Sequence, residues 1–284
     1  MNSQRPACHA MLLGALVLAM AMGDSQHGRA QAQGKLEASY SVTLAGLPMG
    51  HGNWAIDIGD DRFSTSASGA TAGILRVFAS GHGQSAARGA VSGGHLVSSN
   101  YASSIQTDKR YDEVHIVISA GTVKEFSAEP PNTPDPSRVP LTDANRRGVS
   151  DPMTATLIRV PGSGDIVAPQ ACQRTLSIFD GRMRYDLALA FKRFETVRSE
   201  AGYQGPVAVC AVRFSPIAGH VPSRYALKYL ADLRDIEMWL APIAGTRIMA
   251  PYRVSVPTPI GVGVLQATQF VSVAQPGRAS AKTQ

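Results

Sequence analysis

Residues Thr175 to Phe191 read TLSIFDGRMRYDLALAF. Asp180-Gly181 accepts positive φ at both central positions of a type I′ turn. Its flank alternates, with Met183, Tyr185, Leu187, Leu189 and Phe191 on one side against Arg182, Arg184 and Asp186 on the other. A period of two with one polar side predicts a β-hairpin whose second face is wet.

The same signals recur outward from this hairpin. Trp54 to Ile58 alternates, and Gly59-Asp60-Asp61 turns the chain into Arg62 to Ser66. Gly93-Gly94, Ala120-Gly121 and Ala244-Gly245 mark further turns, while Leu36 to Leu44 and Val264 to Val273 read as the first and last strands. About ten to twelve strands result, more than a flat sheet holds without curling. The expected fold is therefore mainly β: a curved antiparallel sheet or half-open β-barrel with two or three short helices.

Three stretches break the pattern. Thr71 to Ser80 carries Ile74, Leu75, Val77 and Phe78 at helical spacing, which predicts a short helix against the sheet, the wall of a ligand cavity. Ser150-Asp151-Pro152 predicts a helix over Met153 to Arg159, and Ser223 is placed to cap another over Arg224 to Arg234. Pro130 to Pro140 holds five prolines, so about 129–149 is a proline-rich surface loop.

Composition fits this reading. Across 284 residues the chain is 44% hydrophobic, 17% charged and 6% aromatic, which excludes a disordered tail and a polytopic membrane protein. Its 27 Gly and 18 Pro suit many turns and few salt-laced helices.

The first 32 residues read as an export signal. Arg5 is the only charge ahead of the apolar run Ala10 to Gly23, and Ala30-Gln31-Ala32 offers the small residues of a cleavage site. The run is shorter than the roughly 17 residues of a membrane anchor. Residues 1–32 are thus expected to leave in the periplasm, and 33–284 to form a single β-rich domain. Arg5, Arg29 and Asp24 go with the signal, lowering the net charge from +6 to +5. The basic excess lies between residues 170 and 234, and it reads as a mixed solvated face ahead of a binding patch.

Cys8 also leaves with the signal, so Cys172 and Cys210 remain. In an oxidising compartment they are expected to form a structural disulfide; a redox-active pair and a buried thiol pair are the alternatives.

Chemistry is sparse. Gly-x-Ser-x-Gly, Ser-x-x-Lys, His-Glu-x-x-His and Cys-x-x-Cys are all missing from the sequence. Gly81 to Ala86 matches Gly-x-Gly-x-x-Ala but follows a helix-like stretch instead of opening one, so no nucleotide is expected. His51, His82, His95, His115 and His220 are scattered without metal spacing, and Asp57, Asp60 and Asp61 read as a solvated turn. No metal and no cofactor are expected. Asp180 sits on a turn that reads as exposed, with no burial to raise its pKa. In Ile236 to Leu240 apolar residues crowd both faces, so that strand is expected to be covered on each side, with Glu237 facing solvent or paired with an arginine.

Several of these segments, taken in order, resemble the domain-of-unknown-function family 3108. They are Tyr40 to Gly50, Asp151-Pro152, Cys172 with Phe179-Asp180-Gly181-Arg182, Cys210 followed by Pro216 to His220, and Glu237 to Pro242 ahead of Pro251, spanning about 36 to 272. The resemblance implies an exported Gram-negative envelope protein with a curved antiparallel sheet, similar to the lipoprotein-carrier fold of the LolA and LolB kind. It brings no catalytic residues.

Three functional readings follow. The leading one is a non-catalytic periplasmic protein of the envelope that binds a lipid or other amphipathic ligand in the concavity of the sheet. The second is a structural protein docking an envelope polymer or an envelope protein partner; nucleic acid is not expected. The third is an envelope hydrolase using Asp180, His220 or Glu237.

Overall fold

A computed structural model describes residues 33–72 and 80–276. Seven consecutive strands form an antiparallel meander: β1 (Gln33–Leu44), β2 (Leu47–Ile58), β3 (Arg62–Thr71), β4 (Gly81–Ser92), β5 (His95–Thr107), β6 (Tyr111–Ser119) and β7 (Thr122–Glu129). The turns fall where the dipeptides placed them. Gly93 and Gly94 take φ of 57° and 75°, and Ala120 and Gly121 take 47° and 71°, the paired positive values of a type I′ turn.

The second half adds β8 (Ile158–Arg159), β9 (Arg174–Phe179), β10 (Arg184–Arg198), β11 (Ala201–Gly202), β12 (Gln204–Ala218), β13 (Ile236–Pro242), β14 (Ile248–Thr258) and β15 (Gly261–Gln275). The pairing path runs β7-β6-β5-β4-β3-β2-β1-β15-β14-β13-β12-β10-β9, with β8 on β14 and β11 parallel to β15. The first and last strands zip the two halves together from Gln33↔Gln275 to Leu44↔Gly263. The sheet has fifteen strands against the ten to twelve of the sequence reading, because the two-residue pieces β8 and β11 attach at the side of a thirteen-strand path.

The edge strands of this path are β7 and β9, and the segment Arg147–Ser150 lies between them. Val149 N–H donates to the Gly121 carbonyl at 2.9 Å, Ser150 N–H donates to the Ser177 carbonyl at 2.9 Å, and Phe179 N–H donates to the Ser150 carbonyl at 3.0 Å. Isolated bridges pair Thr122 with Arg147 and Ser150 with Ile178. A loop therefore spans the gap that a strand ladder leaves open, and the result is a half-open barrel.

Alternation decides what lies inside. Leu36, Ile56, Thr65, Ala87, Tyr101 and Ile116 stand in register across β1 to β6, and each is buried. Strands β12 and β13 are covered on both faces. Val207, Val209, Trp239 and Ala241 join one core cluster, while Ala208, Cys210, Met238 and Leu240 join another. The second cluster lies under Ile158 and Val160 and the helical turn at Pro169–Cys172. The Cys172–Cys210 disulfide sits in it, with Cα atoms 5.3 Å apart and both residues fully buried.

Three local expectations are corrected. The loop after β9 centres on Gly181 and Arg182: Asp180 N–H donates to the Met183 carbonyl at 3.2 Å, and in that turn only Gly181 has positive φ, 89°. Glycine at the first central position is the type II′ arrangement, one residue along from the expected type I′ pair. The helix expected over Met153 to Arg159 is the single turn α1 (Pro152–Ala155), because Ile158 leaves to pair with Met249 and Val160 N–H donates to the Arg247 carbonyl. The other helix is α2 (Tyr225–Asp232), whose cap position is Arg224 with no side-chain bond, so Ser223 does not cap it. The helix expected over Thr71 to Ser80, with Ile74, Leu75, Val77 and Phe78, lies outside the described residues apart from its ends, as does the export signal.

Candidate functional site

The core face thins toward the end of the barrel that carries the β1–β2 and β5–β6 turns. Tyr40, Gly52, Gly69, Gly83 and Ile105 face one another in register across β1 to β5, so three adjacent strands present no side chain there. Ile105 shares its face with Tyr101 and Ser103 by alternation, yet it is 51% exposed where Tyr101 is 8%. The space above the glycines is a depression of about 570 Å³ lined by Val42, Met49, Gly50, Gly69, Gly83 and Ile105, with Thr71 and Thr107 at its rim. A Cβ at Gly50 would stand 2.8 Å from the Ala70 carbonyl oxygen, so glycine also lets β2 and β3 approach.

Two residues beyond Thr107, the β5–β6 turn exposes Lys109 and Arg110. Thr107 N–H anchors this turn on the Arg110 carbonyl at 2.7 Å, and the Asp108 carboxylate accepts from Ser80 N–H at 2.9 Å. The apolar floor thus has two cations near its edge. Its size lies within the roughly 300–1,000 Å³ of small-molecule sites.

A larger trough, of about 640 Å³, crosses β1 to β6 on the opposite, outward face. Its floor is Ala55, Ser66, Ala86 and Ala102 in register, bounded by Glu37 and His115 at the ends. Lys35, Asp57 and Arg88 stand along its side, and Lys35 pairs with Asp57 at 3.0 Å. Its small floor residues offer no long aliphatic wall, and the charged side chains along its sides keep water beside it.

The polar residues singled out in the sequence do not converge. Glu237 is locked in ion pairs: Arg193 donates to its two oxygens at 2.9 and 3.0 Å, and Lys192 also contacts it. The Arg193 hydrogen bonds hold its pKa down to about 2, so it stays ionised and is a poor proton donor. Arg193 also binds Glu195, which accepts from Trp239 Nε1 at 2.7 Å, while the guanidiniums of Arg193 and Arg253 lie 5.6 and 4.9 Å from the Trp239 ring. This network fastens β10, β13 and β14, matching the arginine pairing expected of Glu237.

Asp180 corrects the exposed-turn expectation. It is half-buried, and one of its oxygens accepts from Arg182 N–H at 2.8 Å and Met183 N–H at 2.6 Å. Burial raises its pKa, partly offset by those bonds. The carboxylate shapes the turn, and the Gly181 backbone packs on Val114. His220 is 8% exposed with Nδ1 unpartnered, and its carbonyl accepts from Val139 N–H at 2.8 Å. Glu237 thus sits apart in its ion-pair network, whereas Asp180 and the Gly219-His220 backbone flank the same Arg182-Met183 turn, with no hydrogen bond between the Asp180 and His220 side chains among the described residues.

Sequence reasoning missed the glycine floor. Gly81 and Gly83 were legible only as a rejected nucleotide pattern; glycines spaced by two on strands that pair in register were the usable signal.

Fold and depression together define a half-open antiparallel β-barrel whose concave face is filled except at one end. The chain belongs to the family described as "Protein of unknown function (DUF3108)", whose model matches residues 39–268. No curated protein matches it in sequence. Among solved structures it is similar to a β-barrel-like protein of the domain of unknown function DUF1849 from Brucella abortus, at 9% identity and a TM-score of 0.46, covering 86% of this chain and 98% of that one. A second, described as a putative lipoprotein from Parabacteroides distasonis, has 10% identity and a TM-score of 0.31, covering 84% and 96%.

Proposed function

We propose that this chain is a non-catalytic protein of the bacterial envelope, exported to the periplasm through residues 1–32, whose single domain binds one acyl chain of an anionic amphipath. The observation that carries the reading is the apolar, glycine-floored depression at the open end of the concave face. Val42, Met49 and Ile105 supply its aliphatic walls, the missing side chains of Gly50, Gly69 and Gly83 supply its depth, and Lys109 and Arg110 supply charge for a head group. Export is supported by the Ala10 to Gly23 run and by a buried disulfide, a bond that persists in oxidising compartments.

The test is titration of the mature protein with a fluorescent long-chain fatty acid. Saturable one-to-one binding is expected, weakened about tenfold or more by Ile105→Asp, which places a charge on the wall at an already exposed position. Lack of saturable binding, or unchanged affinity in the variant, contradicts the reading.

A further inference from the structure

The other end of the barrel, at the β4–β5 turn, holds a separate cleft of about 370 Å³. Strand β2 has 12 residues, so the two ends lie roughly 40 Å apart. Arg159 on β8 and Arg174 on β9 line the cleft together with His95, Thr154, Thr175 and Ser177; no aspartate or glutamate does.

Neither arginine meets a carboxylate among the described residues. Arg174 Nη2 donates to the Gln170 carbonyl at 3.0 Å, and its Nε is buried without a partner. Arg159 lies against Gly94, where a Cβ would stand 3.1 Å from its Nε, so glycine at φ 75° makes room for the guanidinium. Thr154 is 4% exposed, lines the same cleft, and its Oγ1 has no hydrogen-bond partner. Burial first, and then the charge of Arg159, pull the Arg174 guanidinium below its ordinary value. Two half-buried like charges on one cleft are costly without an anion between them, and so is the orphaned Thr154 hydroxyl buried in the cleft wall.

We propose that this cleft binds a phosphoryl oxyanion, bridged by Arg159 and Arg174 with the Thr154 hydroxyl as a third donor. One guanidinium satisfies a planar carboxylate with two parallel bonds. Two guanidiniums from different strands and a hydroxyl from a third element suit the several oxygens of a tetrahedral dianion instead. The phosphoryl group can be free phosphate or the monoester head of a lipid. Neither source depends on the acyl-chain reading at the far end.

Calorimetric titration of the mature protein with inorganic phosphate, at ionic strength balanced by sodium chloride, tests this. One saturable site is expected. Arg159→Gln should weaken it about tenfold or more, and Thr154→Val, which keeps the shape and removes an unpaired hydroxyl, should weaken it several-fold. Phosphate should raise the melting temperature of the wild type and not that of Arg159→Gln. In phosphate-free chloride the variant should melt at or above the wild type, since a like-charge contact is gone. Flotation with phosphatidic acid vesicles, reversed by free phosphate, would assign the lipid source; phosphate binding without flotation would assign the free anion. Absence of phosphate binding over chloride, equal affinity in both variants, or tighter binding of succinate than of phosphate would overturn the proposal.

Discussion

Phe126 on β7 and Phe179 on β9 belong to the two edge strands of the sheet path, and their rings meet edge to face with centroids 5.3 Å apart. The contact shows how far the sheet curls: its edges, the first and last of thirteen strands along the path, share one core cluster with Val114, Ile116 and Met153. Backbone bonds through Arg147–Ser150 bridge the gap that remains, so the seam rests on a few side chains and a short loop.

Phe179→Ala should therefore cost about 3–5 kcal/mol, because Phe179 is fully buried and its loss leaves a cavity at the seam. Chemical denaturation measures the cost, and hydrogen exchange should show faster exchange at Val149, Ser150 and Phe179 before the rest of the barrel. Exchange that rises evenly over all strands would show that the seam is no weak point.

The Cys172–Cys210 bond closes a sequence separation of 38 residues and ties the turn before β9 to β12. The double variant Cys172→Ala, Cys210→Ala should lose about 4 kcal/mol on the chain-entropy argument. The midpoint of urea unfolding for oxidised, reduced and substituted protein checks this; equal midpoints would make the bond dispensable.

Glu237 contributes to acid stability. Its pKa is lowered to about 2 in the folded protein by Arg193 and Lys192, against an ordinary 4.5. A depressed carboxylate stabilises above its unfolded value, and that contribution is lost as pH falls from 4.5 toward 2. Melting temperatures of the wild type should exceed those of Glu237→Gln at pH 6, with the gap closing below pH 4. A gap that stays constant would remove the ion pair from the acid response.

Asp180 has the opposite sign. Burial raises its folded pKa above 3.8, so the ionised form is disfavoured by folding and stability is lost as pH rises through the folded value. Asp180→Asn keeps an acceptor oxygen for Arg182 and Met183, so its melting temperature relative to wild type should improve between pH 3 and pH 7. A flat difference would contradict this.

Much of the architecture was legible in the chain because strand alternation and turn dipeptides are local. Ala120-Gly121 and the doubly covered Ile236 to Leu240 strand read directly from neighbouring residues. The type II′ turn at Gly181 was not legible, since it depends on Val114 packing against the glycine from a distant strand. The short α1 ends because Ile158 finds a pairing partner at Met249, 91 residues on, which local helix signals cannot register. The sites were hidden for the same reason. Gly50, Gly69, Gly83 and Ile105 converge only through pairing register, and Arg159 and Arg174 only once the loop after α1 crosses the barrel end.

The most direct measurement is native mass spectrometry of the protein purified gently from cells that express the full chain. A bound amphipath of one acyl-chain class is expected on the wild type and should be absent from Ile105→Asp recovered in the same way. Bare protein mass for the folded wild type would contradict the account.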